Sequence, residues 1–402
     1  MSDVLRQPRI QSQPREDRTR QIPISLIRGG SMYRVQERVG LVRPRSWDLH
    51  RRVPLAVAIA WIPLLVLAAV HGGFAELRAV LVDYRVYARV LVAIPLLLVA
   101  QITMDTRFRE MAQHFLDANI VRTDELSRFH QIMQKTRRLR DALLPEILVI
   151  VAVYLQVGYL LESGRLRFAS WAMEAGSNAL TPAGYYSVLI SQGIFLVLLG
   201  IVAWKWAIWI YVLRRMSQLH LQVDATNGDL TGGLGFLSEV PRAFVPVVLA
   251  ISAVVGATWR SLVLNGQLTL DGLIWPAAVY AALMLAIFFL PLSLFLPTLV
   301  HEKRLGVRRY GSLQHLVSLQ FRRKWTQQRN RHVDDDLLSV PDFSALADLS
   351  ASLKNVEDMV AYPFRKSVAI SFLIALALPL IPVVTTQIPL KEILKGLFDA
   401  LH

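Results

Sequence analysis

Seven stretches of this sequence are so apolar that each reads as a helix able to cross a lipid bilayer. A crossing of about 30 Å of hydrocarbon takes about 20 helical residues. The stretches are 53–70, 90–104, 142–161, 185–206, 243–258, 273–300 and 368–385. The expected fold class is therefore all-α: a polytopic helical membrane protein of about seven transmembrane helices, with a cytoplasmic helical hairpin. Composition agrees, since 54% of the 402 residues are hydrophobic and only 18% charged, the latter clustered between the runs. The absence of cysteine excludes disulfides, iron–sulfur clusters and thiolate zinc sites.

The spans differ in ways that matter. The second carries Pro95 and Gln101, and the third opens with Pro145 and Glu146. The fourth has Tyr185 and Tyr186 at one end and Trp204 and Trp206 at the other, the pattern of two membrane interfaces, and is expected to continue to Arg215. The sixth is longer than one crossing needs and contains Pro276, Pro291 and Pro297, so a tilt or kink is expected there.

Basic residues orient the chain. The segment before the first span holds 12, and the loops 105–141, 213–242 and 301–366 hold 8, 3 and 12. The intervening segments hold 3, 2, 1 and 2, and Lys205 lies inside the fourth span. This asymmetry predicts a cytoplasmic N-terminus and a C-terminus on the opposite side. The polar stretch before the first span is too long for the n-region of a cleaved signal peptide.

Four regions follow. Residues 1–45, rich in Arg, Gln and Pro, are expected to be a disordered basic tail. Residues 46–300 form a six-span bundle. Residues 301–366 form the hairpin, through an apolar stripe of Tyr310, Leu313, Val317, Phe321 and Trp325 and a second of Phe343, Leu346, Leu349, Leu353, Val356 and Val360. Residues 367–402 hold the seventh span and a short amphipathic tail. The net charge of +14 makes anionic lipid at the cytoplasmic face the expected partner. Nucleic acid is not expected, because no aromatic residues interleave with the basic ones. A homo-oligomer is compatible with the sequence, and no protein partner is named by it.

The stretch "GDLTGGLGFL", residues 228–237, resembles a phosphate loop in the spacing of Gly228 and Gly233. The next two positions should be Lys and Ser or Thr to hold phosphates and magnesium, and they are Leu234 and Gly235. The plainer reading is a glycine turn before the fifth span. A further reading gathers His220, Asp224 and Asp229 as an ion-binding or gating element, although their spacing matches no EF-hand. Asp334, Asp335 and Asp336 read as a solvated linker or helix start. No histidine stands in a metal-ligand arrangement, no nucleophile elbow occurs, and no catalytic residue, metal or cofactor is assigned.

Ionisable groups inside spans are costly and often functional. Glu146 and Lys205 fall at similar depth and form a candidate intramembrane pair. Lys205 lies between Trp204 and Trp206, however, where the favoured expectation is a side chain that snorkels to the interface. Gln101, Gln156 and Gln192 are expected to make hydrogen bonds between helices.

"DLTGGLGFL" from Asp229 and "PDFSALADL" from Pro341 together resemble the signatures of an uncharacterised group of bacterial multi-pass membrane proteins. Asp229, Gly232, Gly233, Gly235, Pro341, Asp342, Phe343, Ala347 and Asp348 carry the likeness. That group has His-Pro before the aspartate, where this chain has Asn227 and Gly228. The resemblance implies a bacterial inner membrane and supplies no activity. It makes Asp229, Gly232, Gly233, Gly235, Asp342 and Asp348 the candidate site, with both loops packed at one mouth of the bundle. The leading expectation is a non-enzymatic protein whose cytoplasmic face senses, gates or recruits. The alternatives are a transporter or channel, suggested by the proline-interrupted spans, and a membrane enzyme acting on a lipid-linked substrate.

Overall fold

The computed structural model describes residues 49–163, 169–174, 179–326 and 341–386. The basic tail, the acidic run 334–336 and the terminal amphipathic segment lie outside these residues. What is described is helical apart from short connections and two isolated β-bridges. The chain is an all-α polytopic membrane protein in which, among the described residues, seven helices are long and apolar enough to span a bilayer.

These are α1 (Leu49–Val82), α2 (Tyr84–Asp117), α4 (Leu143–Glu162), α5 (Pro182–Met216), α6 (Gly235–Leu264), α7 (Leu270–Trp325) and α9 (Lys366–Val384). Two further helices are α3 (Leu126–Asp141) and α8 (Pro341–Asp358). The spans fall where the apolar runs place them, but several helices continue well past the apolar part. α1 is two helices joined at Gly73, whose φ of 62° breaks the regular backbone.

α6 is the centre of the bundle, and most of its apolar window is buried against other helices. Its small residues explain this. Ala250, Ser252, Ala253 and Gly256 form a face that lets neighbours come close. A Cβ at Gly256 would lie 2.5 Å from the Pro379 carbonyl of α9, so no larger residue fits there. α4 is the opposite case: Leu143, Leu144, Ile147, Leu148, Leu155 and Tyr159 face outward, and it packs chiefly on α5. A row of rings ties α5, α6, α7 and α9 together. Trp209 meets Phe244, Phe244 meets Phe288, and Phe288 meets Phe372, at centroid separations of 5.3, 4.9 and 5.6 Å.

The prolines act locally. Pro291 and Pro297 bracket a 3-10 segment, Leu290–Phe295, while Pro276 sits within regular α-helix. α7 therefore changes its winding at the prolines and then runs on, out of the apolar zone, as the first arm of the hairpin. Pro95 follows a π-helical turn, Ala88–Ala93, and a second π-turn, Ser187–Ser191, interrupts α5. Pro95 lacks the N–H that a regular turn needs, whereas no proline lies in or just after the second π-turn.

The hairpin is antiparallel, as the two apolar stripes require. Phe343 of α8 packs on Phe321 and Trp325 of α7, at 4.8 and 5.3 Å. Midway, Gln314 donates to Ser350 Oγ at 2.9 Å. At the far end, Gly306 faces Val356, whose Cγ1 would be 2.9 Å from an added Cβ.

Candidate functional site

The glycine stretch is a compact loop between α5 and α6, and its chemistry turns on one carboxylate. Leu230, Gly232 and Gly233 all have positive φ, at 55°, 65° and 90°. This left-handed path turns the backbone N–H groups of Thr231, Gly233 and Gly235 toward one point. Such a nest of amides binds anions, and here the occupant is the loop's own Asp229. Oδ1 accepts from the amides of Thr231 at 2.9 Å and Gly233 at 3.0 Å. Oδ2 accepts from the amide of Gly235 at 2.9 Å and the Thr231 hydroxyl at 2.8 Å. Partial burial raises the cost of the charge, but the amides of Gly233, Thr231 and Gly235 and the Thr231 hydroxyl outweigh it. The Asp229 carboxyl is held below its usual value.

The loop is wedged between the bundle and the hairpin. The Val360 amide donates to the Leu230 carbonyl at 2.7 Å, and Asn355 Nδ2 to the Thr226 carbonyl at 3.3 Å. Lys303 of α7 donates to the Met359 carbonyl at 2.7 Å. A Cβ on Gly232 would strike Val223 Cγ1 at 2.3 Å and crowd Met359 Cε at 3.1 Å. Leu234 and Leu237 beyond the loop are fully buried. Beneath it, Arg365 reaches Glu239 at 2.9 Å and the Tyr362 hydroxyl donates to the Phe289 carbonyl. The loop thus fastens the end of α8 onto the start of α6.

Asp342 and Asp348 are not part of this arrangement. The glycine loop meets α8 at its C-terminal end, whereas Asp342 begins the helix, 17 residues and about 25 Å of helical rise before Met359. Asp342 accepts hydrogen bonds from Lys324 and from Trp325 Nε1, the first of which lowers its carboxyl below the usual range. It closes the distant end of the hairpin. Asp348 is exposed on α8. His220, Asp224 and Asp229 do not converge either. His220 pairs with Glu125 at 2.7 Å, and Asp224 accepts from the Thr226 amide and hydroxyl. Among the described residues no group of three or more His, Cys, Asp or Glu is placed to hold a metal.

Lys205 overturns the snorkelling expectation. Its residue is 9% exposed, and Nζ turns inward to Gln101 Oε1 at 3.2 Å. Trp206 and Trp204 flank it on the helix, yet the lysine lies on the face that packs against α2 and α1. Asp105 and Glu146 supply negative charge nearby and Arg52 positive charge. Arg52, Gln101 and Asp105 are themselves buried, Asp105 completely. Glu146 is therefore one member of a group of four charges around Gln101 rather than half of an isolated pair. Asp105 also binds Arg109, one turn along α2.

On the hairpin side of the bundle, α3 and the end of α5 enclose a cleft of about 540 Å³. Arg128, Lys135, Arg138 and Arg215 line it together with Gln131, Gln134 and Tyr211, and no acidic residue does. The basic residues of α3 belong to the loop 105–141; their convergence on α5 is visible only in the fold.

No family model, curated protein or solved structure matches this chain. The likeness to bacterial multi-pass proteins rests on the two quoted stretches.

Proposed function

We propose that this chain is a non-enzymatic membrane protein that senses, gates or recruits through its hairpin face, with the glycine loop as the clasp between hairpin and bundle. The observation that carries this reading is the Asp229 carboxylate seated in the amide nest of residues 231–235. The groups that would otherwise cradle a phosphate are consumed in shaping a loop whose outer side grips α8. A loop so occupied is suited to holding two parts of one molecule together.

The hairpin also presents Leu313, Leu316 and Phe343 as exposed apolar side chains, the kind of surface that a partner helix covers. The basic cleft of α3 and α5 suits an anionic leaflet. With the distribution of Lys and Arg, this favours a cytoplasmic hairpin, a cytoplasmic N-terminus and a periplasmic C-terminus in a bacterial inner membrane.

Spin labels at positions 217 and 316 of the cysteine-free chain, in liposomes, test the reading. Two distance populations are expected, collapsing to one when cysteines at 230 and 360 are oxidised to a disulfide. A single unchanging population would sink the gating role.

Transport is the second reading, favoured by the buried charges around Gln101 and Lys205. It expects solute flux in proteoliposomes that Lys205→Met abolishes. Absence of flux under ion and solute gradients counts against it.

A further inference from the structure

The other end of the bundle holds a charge that the hairpin reading does not use. Arg89 lies on the π-turn of α2, and its guanidinium reaches the π-turn of α5. Nη2 donates to Ser187 Oγ at 3.0 Å and Nη1 to Gln192 Oε1 at 3.4 Å. Nε is buried and has no hydrogen-bond partner among the described residues. Both partners are neutral, and among the described residues no carboxylate touches this arginine of a candidate membrane-spanning helix.

The nearest acid is already committed. Asp83 accepts from Arg85 Nε and Nη2, both at 3.1 Å, and from Trp171 Nε1 at 3.1 Å. Asp83 and Arg85 offset each other, leaving the positive charge of Arg89 in excess. Arg89 lines a cavity of about 240 Å³ between α2, α5 and α6. Its polar lining includes Ser187, Gln192 and Thr258 and also the Asp83–Arg85 pair, so two guanidinium groups and one carboxylate line it. Val188, Phe195 and Val254 are among its apolar walls. At roughly 30 Å³ per water molecule, this space holds a solute of about eight waters.

Two features argue for function over packing. Single π-turns are frequent at functional sites, and here two of them on different spans meet across one guanidinium. Asp83 is held by Arg85, so of the two cations lining the cavity Arg89 is the one with no carboxylate in contact among the described residues, which leaves a place for a mobile anion.

We infer that the Arg89 cavity is a binding site for a small organic carboxylate, the carboxylate on the guanidinium and the short apolar chain against Val188, Phe195 and Val254. A carboxylate matches the planar donor edge of arginine with two oxygens, which a halide cannot do. The apolar walls favour a short aliphatic acid over a fully hydrated inorganic anion. Gln101 lies 12 residues, about 18 Å, further along α2, so this site is separate from the Lys205 group and from the clasp. It stands or falls independently of the hairpin.

The test is thermal unfolding of the full chain in nanodiscs of zwitterionic lipid, titrated with sodium butyrate at constant ionic strength. Chloride and inorganic phosphate serve as comparison anions. A saturable rise in Tm with butyrate is expected, with neither comparison anion matching it. Arg89→Gln should remove the rise. Arg89→Lys keeps the charge but loses the planar fork, and should weaken apparent affinity about tenfold. Gln192→Leu should weaken it without abolishing folding, and carries the test if Arg89→Gln does not fold. No butyrate effect in the wild type overturns the assignment. So does an equal effect in Arg89→Gln, wild-type affinity in Arg89→Lys, or a larger response to phosphate, which would point to lipid headgroups.

Discussion

Replacing Asp229 with asparagine swaps one acceptor oxygen for an NH2 group that faces the amides it should satisfy. Because the residue lies at the surface, the loss is expected near the low end of the range for an unmade bond, about 1 kcal/mol. Hydrogen exchange should rise at the amides of Thr231, Gly233 and Gly235 and also at Val360, which bonds the loop from outside. The pH dependence follows from the lowered carboxyl. The stabilisation is fully present above the unfolded value near 3.8 and fades as pH falls through the lower folded value. Exchange at Gly233 should therefore accelerate only under acid conditions, and the asparagine variant should show no such step. At this scale the sequence was half legible. The glycines and Asp229 announce a special backbone, and Leu234 argues against a nucleotide. That Asp229 is itself the anion depends on the positive φ at Leu230, which spacing does not reveal. Lys205 misleads for a related reason. Its tryptophan neighbours suggest an interface, but which helix face packs inward is a property of α2 and α5 together.

Among the elements, the hairpin was the most legible, because two apolar stripes of helical period leave little choice but to pair. At Gly306 the first arm lies close to both Ala225 and α8: an added Cβ would sit 2.7 Å from Ala225 Cβ and 2.9 Å from Val356 Cγ1. Gly306→Leu should therefore separate the arms at this end while Phe321, Trp325 and Phe343 still hold the other. Overpacking of this kind costs about 1–3 kcal/mol. Limited proteolysis should show faster cleavage after residue 358, with the transmembrane part unchanged. Protection equal to the wild type would mean that the clasp does not depend on this contact. The π-turns were not legible. Pro95 marks a disturbed helix, yet the apolar run starts at Val90, so Arg89 falls just outside it on paper but in the second turn of α2 in the fold. A basic residue ends an apolar run in any hydropathy reading, whatever its side chain does.

For the whole molecule, the number and order of helices able to cross could be read directly, since a helix satisfies its backbone groups within one segment. The sidedness proposed from the charge counts is open to direct measurement. The natural chain has no cysteine, so Ser217→Cys and Asn265→Cys each report one side without background. In intact cells a membrane-impermeant maleimide should label position 265 and spare position 217 until the membrane is opened. The reverse pattern would invert the molecule. Neutralising Arg128, Lys135, Arg138 and Arg215 together should leave the fold intact and reduce the salt-sensitive stabilisation by anionic lipid, measured as Tm in vesicles with and without it.

The continuity of α7 has a mechanical consequence. Its outer arm, Leu296–Trp325, is 30 residues long, about 45 Å of rigid rod hinged on the proline-bracketed segment Leu290–Phe295. A lever of that length multiplies small angles, so a tilt of about 5° at the hinge carries the tip about 4 Å sideways. The ring contacts of Phe288 and Phe289 sit directly at the fulcrum. A repacking of those rings too slight to alter the span itself would swing Trp325 by the width of an atom.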